Sequence, residues 1–427
     1  FSVYEARFQK PMTYRAAYLA YSEMLAAIRC GHTYSNFVNQ FGFIQEVVFN
    51  QADKLPFLFR TIDGRMIITQ NLSGNPLLDN YPEILSINGI ETEEILKELI
   101  RFVKADGAND GKRLADLNLF GIGSFESFDV YFPLRFPPTD GVYDLKIQMS
   151  ENNFTEEVKI ETITRQERTD KLLQLSFDDN TKADDLWKLE FWDDRTAYLQ
   201  LGTFDVFQLG FEWDDFLKDA FNQIRKRKVD NLVIDIRWNE GGQDEILLYL
   251  GRMLAKEPVS VAQRKEYVAY EKVPDELKPY LSTWMQEVYD FTGKVNKGEN
   301  GLYRLTSPDN LQVEPMSKGF KGNVYLLVNE ANSSATFYFA ELAKSSKLAT
   351  LVGTTTGGSQ KGLNGGTMFF LRLPNSKIEF DIPIIGTFSL EKPDIGIAPD
   401  IEVRETVESL RAGIDPVIVK VKELIDK

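Results

Sequence analysis

The 427-residue chain has a single cysteine, Cys30, and a single histidine, His32. One cysteine excludes an intrachain disulfide and any cysteine-based zinc site. One histidine excludes the two-histidine metalloprotease motifs, so any imidazole chemistry has to occur at His32. Positive charge is also short, with 49 Lys and Arg against 64 Asp and Glu and a formal net charge of −15. That balance disfavours nucleic acid and anionic membranes, since both are bound by basic side chains that neutralise phosphates. No apolar run approaches the roughly 20 residues that a membrane-spanning helix needs. The opening FSVYEARFQK lacks the charged-then-apolar pattern of a signal peptide, and the chain starts without Met, as a mature or trimmed form would.

With 43% hydrophobic and 26% charged residues the composition is that of an ordinary globular protein. The length predicts two or three domains. The most informative stretch is 323–366, NVYLLVNEANSSATFYFAELAKSSKLATLVGTTTGGSQKGLNGG. Its apolar run 324–328 predicts a buried parallel strand. Ala335, Phe337, Phe339, Ala340 and Leu342 predict a buried helix, a second apolar run follows at 348–352, and a Gly-rich loop closes a β-α-β unit. Ser333 and Ser334 therefore fall at a strand-to-helix junction, where backbone N–H groups are exposed and ligands of open α/β folds collect. Either serine could be no more than a helix cap, and the G-x-S-x-G elbow is absent.

Residues 13–29 carry apolar side chains at helical spacing, with Gly31 as the expected C-cap and His32 directly after it. His32 is then either a helix-end imidazole bonded to terminal carbonyls or a chemical group. From 41 to 165 short strands alternate with turns. Asp63-Gly64 predicts a hairpin, as does the turn 151–153 in YDLKIQMSENNFTEEVKIETIT. EILSINGIETEEILKELIRFV predicts strand, Asn88-Gly89 turn and helix. That segment resembles a PDZ-like module, a class that binds extended peptide ends along a sheet edge; the alternative is a β-rich spacer without a ligand. Residues 165–185 predict a polar link. From 186 to 427 strands and helices alternate as in a parallel sheet, interrupted by a polar, aromatic-bearing insertion at 256–321. MFFLRLPNSKIEFDIP predicts a hairpin, and Asp415-Pro416 opens a terminal helix.

Four segments, YLQLGTF, LVIDIRWNEGGQ, VYLLVNEANSSATFYFAELAK with LVGTTTGG, and PDIGIAPDIEV, together resemble the tail-specific, C-terminal-processing and tricorn-core serine peptidases. The pattern D-x-R-x-N-x-G-G is met by Asp235, Arg237, Asn239, Gly241 and Gly242. The resemblance implies an α/β, crotonase-like (ClpP-like) core at 186–427, an N-terminal helical segment at 1–40 packing on that core, and an inserted PDZ-like β-rich module at 41–165. It implies Ser334 as nucleophile, with Ala335 and Gly241 giving the oxyanion hole. For the base it offers two residues. Processing peptidases use a Lys beyond the Gly-rich loop, here Lys361, whereas tricorn-like members use a His in an S-H-T sequence, which GHTYSN resembles. The position before His32 is Gly31, where the tricorn pattern has a Ser that relays to a distant acid. That acid would be Glu391 or Asp394. No metal or other cofactor is implied. The expected activity is peptide hydrolysis on unfolded or C-terminal segments of a polypeptide substrate, outside the cytoplasm. The competing expectations are an inactive core serving a peptide-binding scaffold and, more weakly, an acyl-transfer enzyme, for which no coenzyme-A signature is present.

Overall fold

In the computed structural model the described residues are 2–121, 125–151, 154–175, 186–207, 210–261, 265–298, 301–306, 311–387, 389 and 391–427. Six strands form one sheet in the order Ile401–Glu402, Thr350–Gly353, Asn323–Val328, Asn231–Asp235, Thr196–Leu201, Trp187–Phe191. All neighbours are parallel except the last pair. The four inner strands are short and largely buried on both faces. Leu232 and Ile234 point into a core shared with the helices Trp213–Arg227, Asp244–Leu254 and Ser334–Ser345, while Val233 joins Val417 and Val421 of the terminal helix Pro416–Ile425. The period-two alternation thus splits one apolar run between two layers. The insertion at 256–321 adds short antiparallel pairs and a small core of its own around Val268, Val288 and Phe291, completed by Phe369 of the hairpin Met368–Arg372/Glu379–Pro383.

The strand-rich half is an antiparallel sheet of Phe57–Ile62, Arg65–Asn71, Glu83–Ile87, Val142–Gln148 and Thr155–Glu161. Its two short turns, Asp63-Gly64 and Asn88-Gly89, both have positive φ at their central residues (51° and 76° in each). That is the mirror-image turn whose twist suits a hairpin. The expected turn residues Asn152 and Asn153 lie outside the described residues.

Three expectations are corrected. The N-terminal helix is Tyr14–Ala26, capped by the Thr13 side chain, and it does not pack on the parallel sheet. Tyr18, Leu19 and Leu25 are buried in the same core as Phe49, Phe57, Phe59 and Tyr131 of the strand-rich half. The physical reason is its tyrosine-rich stripe, which finds ring partners there, Tyr18 meeting Phe49 edge-on at 5.0 Å. Gly31 is not the C-cap; Ala27 is, and Arg29 takes the left-handed turn (φ 60°). Residues 165–174 are not a link. Arg165–Gln174 is a helix with a Thr164/Glu167 capping box, and it buries Leu172 and an Arg168–Asp129 ion pair. The remainder of the expected link, 176–185, lies outside the described residues. No helix among the described residues is long and apolar enough to cross a membrane.

Candidate active site

The turn that ends the strand Asn323–Val328 is laced to the turn that ends Asn231–Asp235. Asn332, fully buried, accepts the Asn329 N–H (2.8 Å) and donates to the carbonyls of Ile236 (2.5 Å) and Asn239 (3.0 Å). The Thr336 hydroxyl donates to the Asn239 carbonyl (2.8 Å) and the Ser333 hydroxyl to that of Glu240 (2.9 Å). Ser334 opens the helix Ser334–Ser345 with φ 50°. A residue with a Cβ rarely takes that conformation, which here is enforced by the turns on either side.

The D-x-R-x-N-x-G-G residues hold the second turn. The Asp235 carboxylate accepts from Arg237 (2.6 Å) and from the Tyr198 hydroxyl (2.8 Å), and Arg237 also reaches Asp415 (2.8 Å). Asn239 Oδ1 accepts the N–H groups of Phe204 (3.2 Å) and Gly241 (2.9 Å). Gly241 (φ 111°) and Gly242 (φ 135°) need to be glycine on both conformation and space. A Cβ at Gly241 would lie 2.7 Å from Ser334 Cβ and 2.9 Å from Ala335 N, and one at Gly242 would lie 2.0 Å from the Phe204 carbonyl carbon. Ser334, Ala335 and Gly241 are therefore in contact. The Gly241 N–H, expected to face the serine, is taken by Asn239.

His32 arrives from the other half. Its loop is clamped to the strand Glu379–Pro383: the Asp381 N–H donates to the Tyr34 carbonyl (2.9 Å), and Asp381 accepts from Asn36 (2.8 Å) and Asn39 (3.1 Å). The ring lies on Gly365, where a Cβ would sit 2.7 Å from Cε1. Burial, and then the Lys104 and Lys112 cations, push His32 down to about 4 against the opposing Asn364 carbonyl and Glu240. Its imidazole is neutral at pH 7. Nδ1 is buried with no hydrogen-bond partner, and no hydrogen bond joins the ring to Ser334 Oγ among the described residues.

The other expected residues are not gathered at the ring. Lys361 is exposed; its N–H donates to Ser359 Oγ (3.2 Å). Glu391 is exposed too. Asp394 is half-buried, accepts the Ser359 hydroxyl (2.7 Å) and fills the space beside Gly107. A different carboxylate stands next to the histidine loop. Asp106 accepts the Gly31 N–H (2.8 Å), and a Cβ at Gly31 would lie 2.7 Å from its Oδ2. Asp106 fills the space that a side chain at Gly31 would occupy. Burial pushes it up to about 6. Asp106, Lys104 and Lys112 had no local signal in the sequence, whereas Asn239, Glu240 and Asn332 lay inside the recognised motifs without a role attached.

An α/β fold that brings a strained serine and a glycine turn to one point at the carboxyl ends of parallel strands is built like a serine hydrolase. Residues 195–403 of this chain match Peptidase family S41. Among solved structures, mature CPAF complexed with lactacystin superposes over 96% of this chain and 88% of its own, with 15% identity and a TM-score of 0.65. Mature CPAF alone gives 99% and 90%, 14% and 0.64. The photosystem II D1 C-terminal processing protease gives 94% and 85%, 14% and 0.41. The likeness to CPAF is one of fold, and it extends over both halves. None of the curated proteins gives a significant match.

Proposed function

We propose that this protein hydrolyses peptide bonds with Ser334 as nucleophile and His32 as general base. The observation that carries the reading is the left-handed Ser334 at a helix start with Gly241 packed on it. In this mechanism neutral His32 takes the Ser334 proton as Oγ attacks the peptide carbonyl carbon, and the imidazolium returns it to the leaving amine. The resulting acyl-enzyme is hydrolysed by a water that His32 activates. The oxyanion is held by the Ala335 N–H and, once it leaves Asn239, by that of Gly241; such tightening on substrate binding is ordinary for an unliganded site.

Of the two acids, Asp394 is better sited than the exposed Glu391, since it packs beside Gly107, the neighbour of Asp106. Lys361 is the weaker base, because it lies exposed where a catalytic lysine needs a desolvated setting. In the same reading the parallel-sheet half is a crotonase-like core and the strand-rich half is a PDZ-like module that presents unfolded or C-terminal polypeptide segments. An extracytoplasmic location belongs to it as well and rests on the family resemblance. The unpartnered His32 Nδ1 favours a second reading, a catalytically weak relative that works as a peptide-binding scaffold.

A fluorophosphonate decides between them. The peptidase reading expects stoichiometric labelling and peptide turnover, both lost in Ser334→Ala with the fold intact, since Ser333 and not Ser334 is the N-cap of that helix. An unlabelled wild type leaves the scaffold, and turnover by folded Ser334→Ala removes the serine.

A further inference from the structure

The helix Asp110–Ala115 belongs to the strand-rich half, yet it is seated among the loops around Ser334. Asn109, its N-cap, donates from Nδ2 to the carbonyls of Thr356 (2.9 Å) and Gly358 (3.2 Å) in the Gly-rich loop. The Lys112 stem lies on the same loop, where a Cβ at Gly357 would meet its Cδ at 2.8 Å. The Lys112 side chain is 5% exposed, and its ammonium pairs with Asp116 on its own helix and with Glu240 (3.0 Å) on the other half. Glu240 precedes Gly241 in the chain, and its carbonyl takes the Ser333 hydroxyl. One buried cation therefore ties the strand-rich half to the glycine turn and, through it, to the serine turn.

We propose that Lys112 is a positioning residue of the serine site, which through Glu240 fixes the glycine turn against Ser334, so that the strand-rich half completes the active site rather than only presenting substrate. The inference rests on the peptidase reading. Its mechanical part is that a turn whose two glycines can take many conformations is held in one of them by a side chain from another domain. A misplacement of about 1 Å at such a turn costs on the order of 100-fold in rate.

Its electrostatic part concerns His32. Lys104, Lys112 and Glu240 act on the imidazole directly. Behind them stand Asp106 at Gly31, Asp116 at Lys112, and Tyr34 and Asp381 around Lys104, whose Nζ is 3.9 Å from the Tyr34 ring centre. Lys112 pushes His32 toward its neutral form and Glu240 pulls it back, so removing either partner has the same mechanical effect and the opposite electrostatic one. A residue that merely stabilised the fold would not produce that pair of signs.

The test uses the full chain free of any histidine tag, so that His32 gives the only imidazole signal in a proton NMR titration. Lys112→Met keeps the apolar stem. Glu240→Gln changes a side chain that is 59% exposed and leaves no hole. Both variants are expected to react with the fluorophosphonate roughly 10- to 100-fold more slowly than wild type. The His32 midpoint is expected to rise by about one pH unit in Lys112→Met and to fall in Glu240→Gln. If wild type labels and both variants label at its rate, or if both variants shift the midpoint in the same direction, the positioning role is wrong while the serine reading stands. If wild type does not label, the serine reading fails and this inference fails with it.

Discussion

Ser334 and His32 carry opposite kinds of cost. Ser334 stores backbone strain, on the order of 1 kcal/mol for a Cβ-bearing residue at φ 50°. His32 gives up basicity. Its folded value of about 4 lies below the ordinary 6.5, so the folded chain refuses a proton that the unfolded chain accepts between those two values. The stability that this group contributes is present above about pH 6.5 and is lost as the pH falls toward 4. The same shift sets the activity profile. A base that works neutral stays competent down to about pH 5, so kcat/KM for a peptide should hold between pH 7 and 5 and fall only with a midpoint near 4. An acid limb centred near 6.5 would mean that the working base is not this buried imidazole. That Ser334 and Gly241 meet was legible in the sequence because each sits in a motif at the end of a predicted strand. The carboxylate beside the histidine loop was not: Asp106 reaches Gly31 across a distance in sequence that no local pattern encodes, and of the two expected acids Glu391 lies exposed and Asp394 half-buried.

At the scale of single elements, a buried carboxyl governs one edge of the glycine turn. Glu126 accepts the N–H groups of Phe120 (2.8 Å) and Gly121 (3.1 Å), and the Phe120 ring meets Trp238 of that turn at 5.0 Å. Burial, with Asp129 nearby, pushes Glu126 up to about 8 from an ordinary 4.5. The folded state therefore holds a proton that the unfolded chain releases. This stabilising contribution is full below about pH 4.5 and is lost as the pH rises through 8. Relative to Glu126→Gln, wild type should lose stability at up to about 1.4 kcal/mol per pH unit across that window. Denaturant midpoints at pH 5 and pH 8 measure it, and parallel losses in the two proteins would show that Glu126 is ionised throughout. Hairpins and parallel strands were readable from turn pairs and apolar runs. The helix Arg165–Gln174 was not, because its buried side chains include the charged Arg168, which reads as solvent-facing until Asp129 is seen opposite it.

At the scale of the whole molecule the two halves share a core, and this is where the sequence reading of the N-terminal helix failed. Its apolar stripe did require a partner surface, but periodicity names no partner, and the aromatic cluster of the strand-rich half outcompeted the parallel sheet. His32 still reaches the neighbourhood of the glycine turn because the hairpin Met368–Arg372/Glu379–Pro383, which belongs to the other half by sequence, inserts Ile378 and Phe380 into that aromatic cluster. Phe380 is 4% exposed, and Tyr21 meets it at 5.2 Å. The hairpin is thus a rivet between the half that carries the histidine and the half that carries the serine. Halves joined in this way should unfold together, and wild type should give one calorimetric transition whose van't Hoff and calorimetric enthalpies agree. Phe380→Ala removes a buried ring at a cost of about 3 to 5 kcal/mol, most of it paid at the junction. In that variant the strand-rich half should melt first as a separate transition, with Ser334 labelling lost at the lower one, since His32 leaves with its loop. Two transitions already in wild type, or one undivided transition in Phe380→Ala with labelling intact, would show that the hairpin does not hold the halves together.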